Sequence, residues 1–372
     1  MNKQRMSGFA GHLYGKMDNN MKSRLTTLCY IEKDDQYLML HRVSKKNDIN
    51  KDKWIGIGGH FEEGESPEEC LLREAKEETG LTLTSYRFRG IVTFCFEGYP
   101  TEYMCLFTAD GFEGTLKECD EGKLEWVEKN KIGSLNLWDG DLLFFDLLWR
   151  DVPFFSLKLC YRKDGAWCQA VLNGEELELF DLCGEDGMPA GHVKERSMVH
   201  RDGDLHRTVH MWVVRKRKDG GVDVLLQKRS KDKDSYPGCY DISSAGHVQA
   251  GDDFENAALR ELEEELGIKA VREDLRFIGL HESYISSSFW GQPYKNREIS
   301  AVYLYEKPVE EDSLILQESE VEEVVFMDYE RVLEGIGDGS LKNCIFPEEF
   351  QLIKKALEPG YVADKVRIKE IF

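Results

Sequence analysis

The sequence predicts an α/β protein built as two tandem domains, on three observations. An acidic pattern comprising Gly59, Glu65 and Arg73-Glu74-Ala75-Lys76-Glu77-Glu78-Thr79-Gly80-Leu81 returns 187 residues later as Gly246, Asp252 and Arg260-Glu261-Leu262-Glu263-Glu264-Glu265-Leu266-Gly267-Ile268. Each copy sits among strand-like runs, so strands and helices alternate through both halves. The length of 372 residues suits two domains, each able to bury a full core.

In chain order, the first twenty residues carry Gly, Asn and Lys without an apolar core, which predicts a flexible extension over 1–20 and not a secretory signal. Met21 opens the folded part. Arg24 to Arg42 reads as two strands around the turn Lys33-Asp34-Asp35. A polar loop from Ser44 to Lys53 follows, then a short strand into Gly58-Gly59. Ser66 caps the next helix, Pro67 takes its first position, Glu69 completes a capping box and Gly80 stops it in a left-handed conformation. Strand-like runs come at Tyr86 to Phe96, Tyr103 to Thr108 and Leu124 to Val127. Asp141 to Trp149 is apolar enough for a helix, and Phe154 to Tyr161 reads as a closing strand. The segment from Leu172 to His192, rich in glycine and acids, marks the boundary and gives domains at 21–173 and 174–372.

The second half repeats the order. Strands are expected at His206 to Arg215 and Asp223 to Lys228, then the acidic helix. Asp253 is its cap, and Ala258, Leu262 and Leu266 form an apolar stripe toward the core. Strands near Phe277 and at Ala301 to Tyr305, and a helix near Pro347 to Leu357, complete the domain.

Carboxylates three and four residues apart, as at Glu74, Glu77 and Glu78, project from one sector of a helix. Convergent anions suit a hard divalent cation. Mg2+ keeps several waters that a diphosphate can replace. A solvated glutamate-rich helix would look similar, but the flanking Gly59 and Gly80, the internal arginine and the recurrence of the whole pattern oppose it.

A net charge of −21 argues against duplex nucleic acid as a partner, because such binding rests on clustered cations. Ten cysteines without a CxxC pair fit reduced thiols in a cytoplasmic protein better than a disulfide framework or a zinc site. Cys95, Cys105 and Cys160 read as small core residues. No apolar run approaches the length needed to span a bilayer.

The repeated pattern, written GX5EX7REUXEEXGU with U aliphatic, resembles the signature of the Nudix hydrolase family; Ala75 and Asp252 are its mild departures. The resemblance implies two α/β/α sandwich domains with mixed β-sheets. It also implies Mg2+, with Mn2+ as the alternative, and attack of water on phosphorus in a small-molecule nucleotide or diphosphate. Glu74, Glu77 and Glu78 would form the ligand and base set of the first domain, with Glu78 the firmest ligand. Glu261, Glu264 and Glu265 would do so in the second. Glu65 and Arg73 would pair to brace the loop against the helix, a contact that Asp252, one methylene shorter, makes harder in the second copy. Glu121, shortly before Trp126, matches a glutamate that approaches the metal; a solvated loop acid is the alternative. Glu320, shortly before Phe326, is its counterpart.

Residues 21 to about 170 are similar to 8-oxo-dGTP diphosphatases. By that resemblance Trp138 stacks on a purine and Asp141 bonds to its edge, against the alternative of a core tryptophan and a helix-capping acid. Ile55 stands where some members carry a purine-reading asparagine. Arg42, and less so Lys45 and Lys46, would contact phosphate.

From Leu177 onward the chain resembles the isopentenyl-diphosphate isomerase-like branch, through Leu226-Gln227-Lys228-Arg229-Ser230 and Asp241-Ile242-Ser243-Ser244-Ala245-Gly246-His247 among other stretches. Arg229 is accordingly a substrate contact. Isomerases place a cysteine where this chain has Ala245, and alanine can neither donate nor accept a proton. A diphosphate hydrolase is therefore expected. A non-catalytic nucleotide or diphosphate sensor, hydrolysis of ADP-ribose and, last, an isomerase are the alternatives. His200, His206, His247 and Glu298 approximately match isomerase metal ligands, although His206 follows His200 one position too soon.

Overall fold

The computed structural model describes residues 22–44, 48–233, 235–289 and 292–363. The extension expected at 1–20, Met21, Lys45 and Lys46 lie outside the described residues. The chain divides into two compact units, Met1–Leu177 and Glu178–Phe372.

The first unit contains β1 (Arg24–Lys33), β2 (Gln36–His41), β3 (Trp54–Ile55), α1 (Pro67–Thr79), β4 (Thr82–Phe96), β5 (Glu102–Glu113), β6 (Lys123–Glu128), α2 (Asp141–Trp149), β7 (Phe155–Tyr161), β8 (Trp167–Leu172) and β9 (Glu175–Leu177). They form one mixed sheet in the order β3-β2-β1-β5-β4-β7-β8-β9, with β6 paired to β2. The β1–β5 and β4–β7 pairs are parallel. Alternation along β1 sends successive side chains to opposite faces. Cys29 and Ile31 join Leu71 and Ala75 of α1 in one core, while Tyr30 packs on Phe144 and Phe145 of α2 with ring centroids 5.8 and 4.6 Å away. The result is a helix–sheet–helix sandwich.

The second unit contains β10 (Leu179–Cys183), β11 (Pro189–Glu195), α3 (Arg196–Asp202), β12 (Leu205–Lys216), β13 (Val222–Arg229), β14 (Tyr240–Asp241), β15 (Ser244–His247), α4 (Phe254–Leu266), β16 (Leu275–Phe289), β17 (Gln292–Tyr305), β18 (Val321–Asp328), α5 (Tyr329–Asp338) and α6 (Pro347–Leu357). Parallel β12 and β17 form the centre. Val209, Met211 and Val213 of β12 pack with Ala258, Leu262 and Leu266 of α4. Trp212 and Val214, facing the other way, pack with Val332 of α5 and Phe350 and Ile353 of α6. This unit is a sandwich of the same kind. No described helix is long and apolar enough to cross a membrane.

Several elements differ from the sequence reading. Phe155–Tyr161 does not close the first sheet, because β8 and β9 continue it. The division consequently falls after Leu177 and not after residue 173. Asn173 and Gly174, with φ of 52° and 90°, make the tight turn between those strands, and such pairs also look like linker. The expected boundary from Leu172 to His192 is largely strand for the same reason. Ser286-Ser287-Ser288 hid the length of the β16–β17 hairpin, and Gly335 and Gly337 hid α5.

Candidate active sites

α1 begins and ends where its local chemistry dictates. Ser66 Oγ accepts from the Glu69 amide at 3.2 Å, and Glu69 Oε2 accepts from the Ser66 amide at 2.8 Å. Gly80 closes the helix at φ 77°. Arg73 lies across the resulting frame. Its Nε and Nη2 donate to the two Glu65 carboxylate oxygens at 2.7 and 2.9 Å, and Nη2 also donates to the His60 carbonyl at 3.0 Å. The pair joins the loop to the helix and holds the Glu65 carboxyl down to about 2, chiefly through the Arg73 hydrogen bonds.

This frame delivers three carboxylates to different settings. Glu78 is buried, and its Oε2 accepts from the Gly58 amide at 3.0 Å. Burial pushes its carboxyl up to about 8; the Gly58 bond opposes the rise, and the charges of Glu121 and Glu74 add to it. Glu74 accepts from Arg73 Nη1 at 2.8 Å and lies over Gly59 so closely that a Cβ there would come within 2.3 Å of Oε1. Glu77 is the open member, with a side chain 62% exposed. Glu121 forms an ion pair with Arg42, which also holds Asp48 at 2.6 Å. Clustered carboxylates, one of them buried, fit a divalent cation.

Trp138 is largely buried. Its Nε1 donates to Asn50 Oδ1 at 2.8 Å, Phe94, Phe96 and Tyr161 surround its ring, and Lys53 Nζ stands 4.8 Å from the ring centroid. Lys53 also donates to Asn136 Oδ1 and the Leu137 carbonyl at 2.9 and 2.6 Å. Asp141 is the first residue of α2 and is buried; burial raises its carboxyl to about 8 against the opposing effects of a Trp138 backbone bond and the Lys53 charge. Lys53 and Asn50 were not singled out from sequence. They arrive from the polar loop, where most such residues are solvated, and no local spacing distinguishes them.

The second unit repeats the frame with one substitution of parts. Asp253 accepts from the Asn256 amide at 2.7 Å, and Gly267 ends α4 at φ 71°. Glu265 is buried, with Oε2 accepting from the Ala245 amide at 3.1 Å, as Glu78 does from Gly58. A Cβ on Gly246 would lie 2.1 Å from Glu261 Cδ. Burial lifts the carboxyls of Glu261 and Glu265 to about 7. Glu264 is open, with a side chain 53% exposed.

The brace, however, has moved. Arg260 bonds to Glu261 and to the His247 carbonyl, but its buried Nε has no hydrogen-bond partner among the described residues. Asp252 instead accepts from its neighbour Asp253 at 2.9 Å. Asp181 of β10 takes over, accepting from Arg207 Nη2 at 2.9 Å and from the Gly251 amide at 2.8 Å, while Arg207 reaches the Asp252 carbonyl at 3.1 Å. Arg229 is fixed by Asp241 at 2.9 Å and by Ser235, and Glu320 forms an ion pair with Lys233.

Beside these carboxylates, His200, His206 and His247 bring one ring nitrogen each to within 4.8 Å of one another. All three Nε2 atoms are buried and lack a hydrogen-bond partner among the described residues. His206 Nδ1 lies 3.0 Å from the Asp204 carbonyl, an acceptor only, so Nδ1 carries a proton and donates it there. Burial lowers His200 to about 3 and His247 well below its ordinary value, keeping both neutral. Glu298 Oε1 stands 3.8 Å from both His206 and His247. Three imidazoles gathered this closely beside a carboxylate are a donor set for a transition-metal ion.

The NUDIX domain family model matches residues 22–147 and 204–344, more than half of the chain. The chain is 41% identical over 157 residues to Nudix hydrolase 3 of Arabidopsis thaliana, covering 41% of its own length and 19% of that protein. It is 36% identical over 178 residues to a Nudix hydrolase of Clostridium acetobutylicum, covering 47% of itself and 81% of the relative. Oxidized purine nucleoside triphosphate hydrolase of Danio rerio is 35% identical over 136 residues, 36% of this chain and 85% of that one. Among solved structures, a MutT protein from Bacillus halodurans matches at 29% identity and a TM-score of 0.36, over 41% of this chain and 99% of that one. The chain belongs to the Nudix family as a hydrolase carrying two of its domains in tandem.

Proposed function

We propose that the first unit hydrolyses a purine nucleoside triphosphate of the 8-oxo-dGTP kind to monophosphate and pyrophosphate. The observation that carries this reading is Glu78, buried at the Gly58 amide beside Glu74 and Glu121 and unable to hold its charge comfortably without a cation. Glu74, Glu77 and Glu78 would hold Mg2+ or Mn2+, which when bound orients the phosphates and offsets their charge. A glutamate of this set accepts a proton from the attacking water, whose oxygen joins phosphorus as the anhydride P–O bond breaks. Arg42 is placed to exchange a carboxylate for a phosphate oxygen. Trp138, Asn50, Lys53 and Asp141 supply an aromatic plane and polar edges for a base. The name of the Danio rerio relative supports the substrate class.

The second unit is, in this proposal, an isomerase-like hydrolase of a small diphosphate, using Glu261, Glu264 and Glu265 with Arg229 on the substrate. Ala245 supplies no proton, which disfavours isomerisation. His200, His206, His247 and Glu298 would hold a further divalent ion, favoured by the three buried Nε2 atoms that lack a hydrogen-bond partner among the described residues. Ten cysteines without a CxxC pair support a cytoplasmic setting.

The test is turnover of oxidised and normal nucleoside triphosphates, ADP-ribose and isopentenyl diphosphate with and without Mg2+, in wild type, Glu78→Gln and Glu265→Gln. Glu78→Gln should lower 8-oxo-dGTP cleavage by about 10²–10⁴-fold while Glu265→Gln leaves it unchanged. Cleavage of another compound with 8-oxo-dGTP ignored would reject the base pocket. Metal analysis of His206→Ala should show one ion fewer per chain than wild type.

A further inference from the structure

The first unit holds a group of thiols on the sheet face opposite the ring cluster around Trp138. Cys95 of β4 and Cys160 of β7 are register partners on adjacent parallel strands, so their side chains project to the same face. Their neighbours Phe96 and Tyr161, also partners, project the other way with Phe94, and all three pack on Trp138. Neighbouring strands lie about 4.8 Å apart, and disulfide-bonded residues have Cα separations of roughly 4.4–6.8 Å. Backbone spacing therefore already permits a bond. Cys168 of β8 is the third thiol, with Sγ 3.2 Å from the Cys160 carbonyl.

The environment distinguishes the two partners. Cys160 is fully buried, whereas Cys95 is 7% exposed near the end of its strand. Contact with the Cys160 thiol pulls the Cys95 thiol below its ordinary value, overcoming burial; the Thr101 hydroxyl at 4.0 Å and the Lys158 charge act in the same direction. A lowered thiol favours the thiolate, the form that reacts with peroxides. Nothing in phosphoanhydride hydrolysis uses these groups.

We propose that Cys95 and Cys160 are a redox pair that a hydroperoxide converts to an intramolecular disulfide across β4 and β7. The Cys95 thiolate attacks the peroxide, the O–O bond breaks, and Cys95 becomes a sulfenic acid while the leaving oxygen departs as water or alcohol after taking a proton. The Cys160 sulfur then attacks the Cys95 sulfur, the S–O bond breaks, and a second oxygen leaves as water with the Cys160 proton. Two electrons pass from the thiols to the peroxide.

Reduced full-length protein would be treated with hydrogen peroxide, blocked with N-ethylmaleimide, digested and mapped by mass. The expected product joins the Cys95 and Cys160 peptides, is two mass units lighter than the thiol pair and reverts with dithiothreitol. Cys95→Ser should abolish it, and Cys160→Ser should leave a sulfenic acid at Cys95 that dimedone captures. Wild-type mapping stands even where a variant folds poorly. Alkylation of both residues under conditions that oxidise other cysteines, or a bond from Cys95 to Cys168, would overturn the assignment.

Discussion

Gly59 and Gly246 are required because a carboxylate occupies the space a side chain would fill. A Cβ would meet Glu74 Oε1 at 2.3 Å in one copy and Glu261 Cδ at 2.1 Å in the other. We expect Gly59→Ala to displace Glu74, costing about 1–3 kcal/mol and lowering first-unit turnover at fixed Mg2+ much more than it lowers the melting temperature. Activity and thermal unfolding measured on the same sample check this. Asp141 gives a second residue-scale prediction. Burial raises its folded value to about 8, while the unfolded value is about 4, so the folded state binds the extra proton between those limits. Its contribution to stability is complete below about pH 4 and is lost as pH rises toward 8. Asp141→Asn should flatten that part of the stability–pH curve, followed by denaturant unfolding from pH 5 to 9; an unchanged slope would show that Asp141 is ionised in the folded protein.

At the scale of the element, α1 and α4 are the same helix with different braces. Arg73 bonds both Glu65 oxygens, whereas Arg260 keeps a buried Nε without a hydrogen-bond partner among the described residues, and Asp252, one methylene shorter, bonds the Asp253 amide instead. Asp252→Glu should supply the missing contact and stabilise the second unit by about 1 kcal/mol, read as a higher denaturation midpoint. Helix ends were legible in the sequence because a cap is decided within four residues, as Ser66 with Glu69 and Asp253 with Asn256 show. β8, β9 and the full β16–β17 hairpin were less so. Their turns and serines resemble linker, and pairing with a neighbouring strand is what makes them sheet.

Across the whole molecule, the two units share an acidic helix pattern but surround it differently. The acidic positions could be read from spacing because one helix and one turn carry them. Lys53 and Asn50 beside Trp138, and Lys233 beside Glu320, could not, since loop paths bring them together. The displaced brace has a practical consequence for dissecting the protein. The family match in the second unit opens at residue 204, yet Asp181 secures Arg207 and the Gly251 amide, and Phe180 stacks on His206 and His247 at 5.3 and 4.5 Å. A fragment of residues 204–363 should therefore be degraded faster in limited proteolysis than one of 178–363. The keystone of the second unit lies some twenty residues upstream of the point at which kinship becomes recognisable.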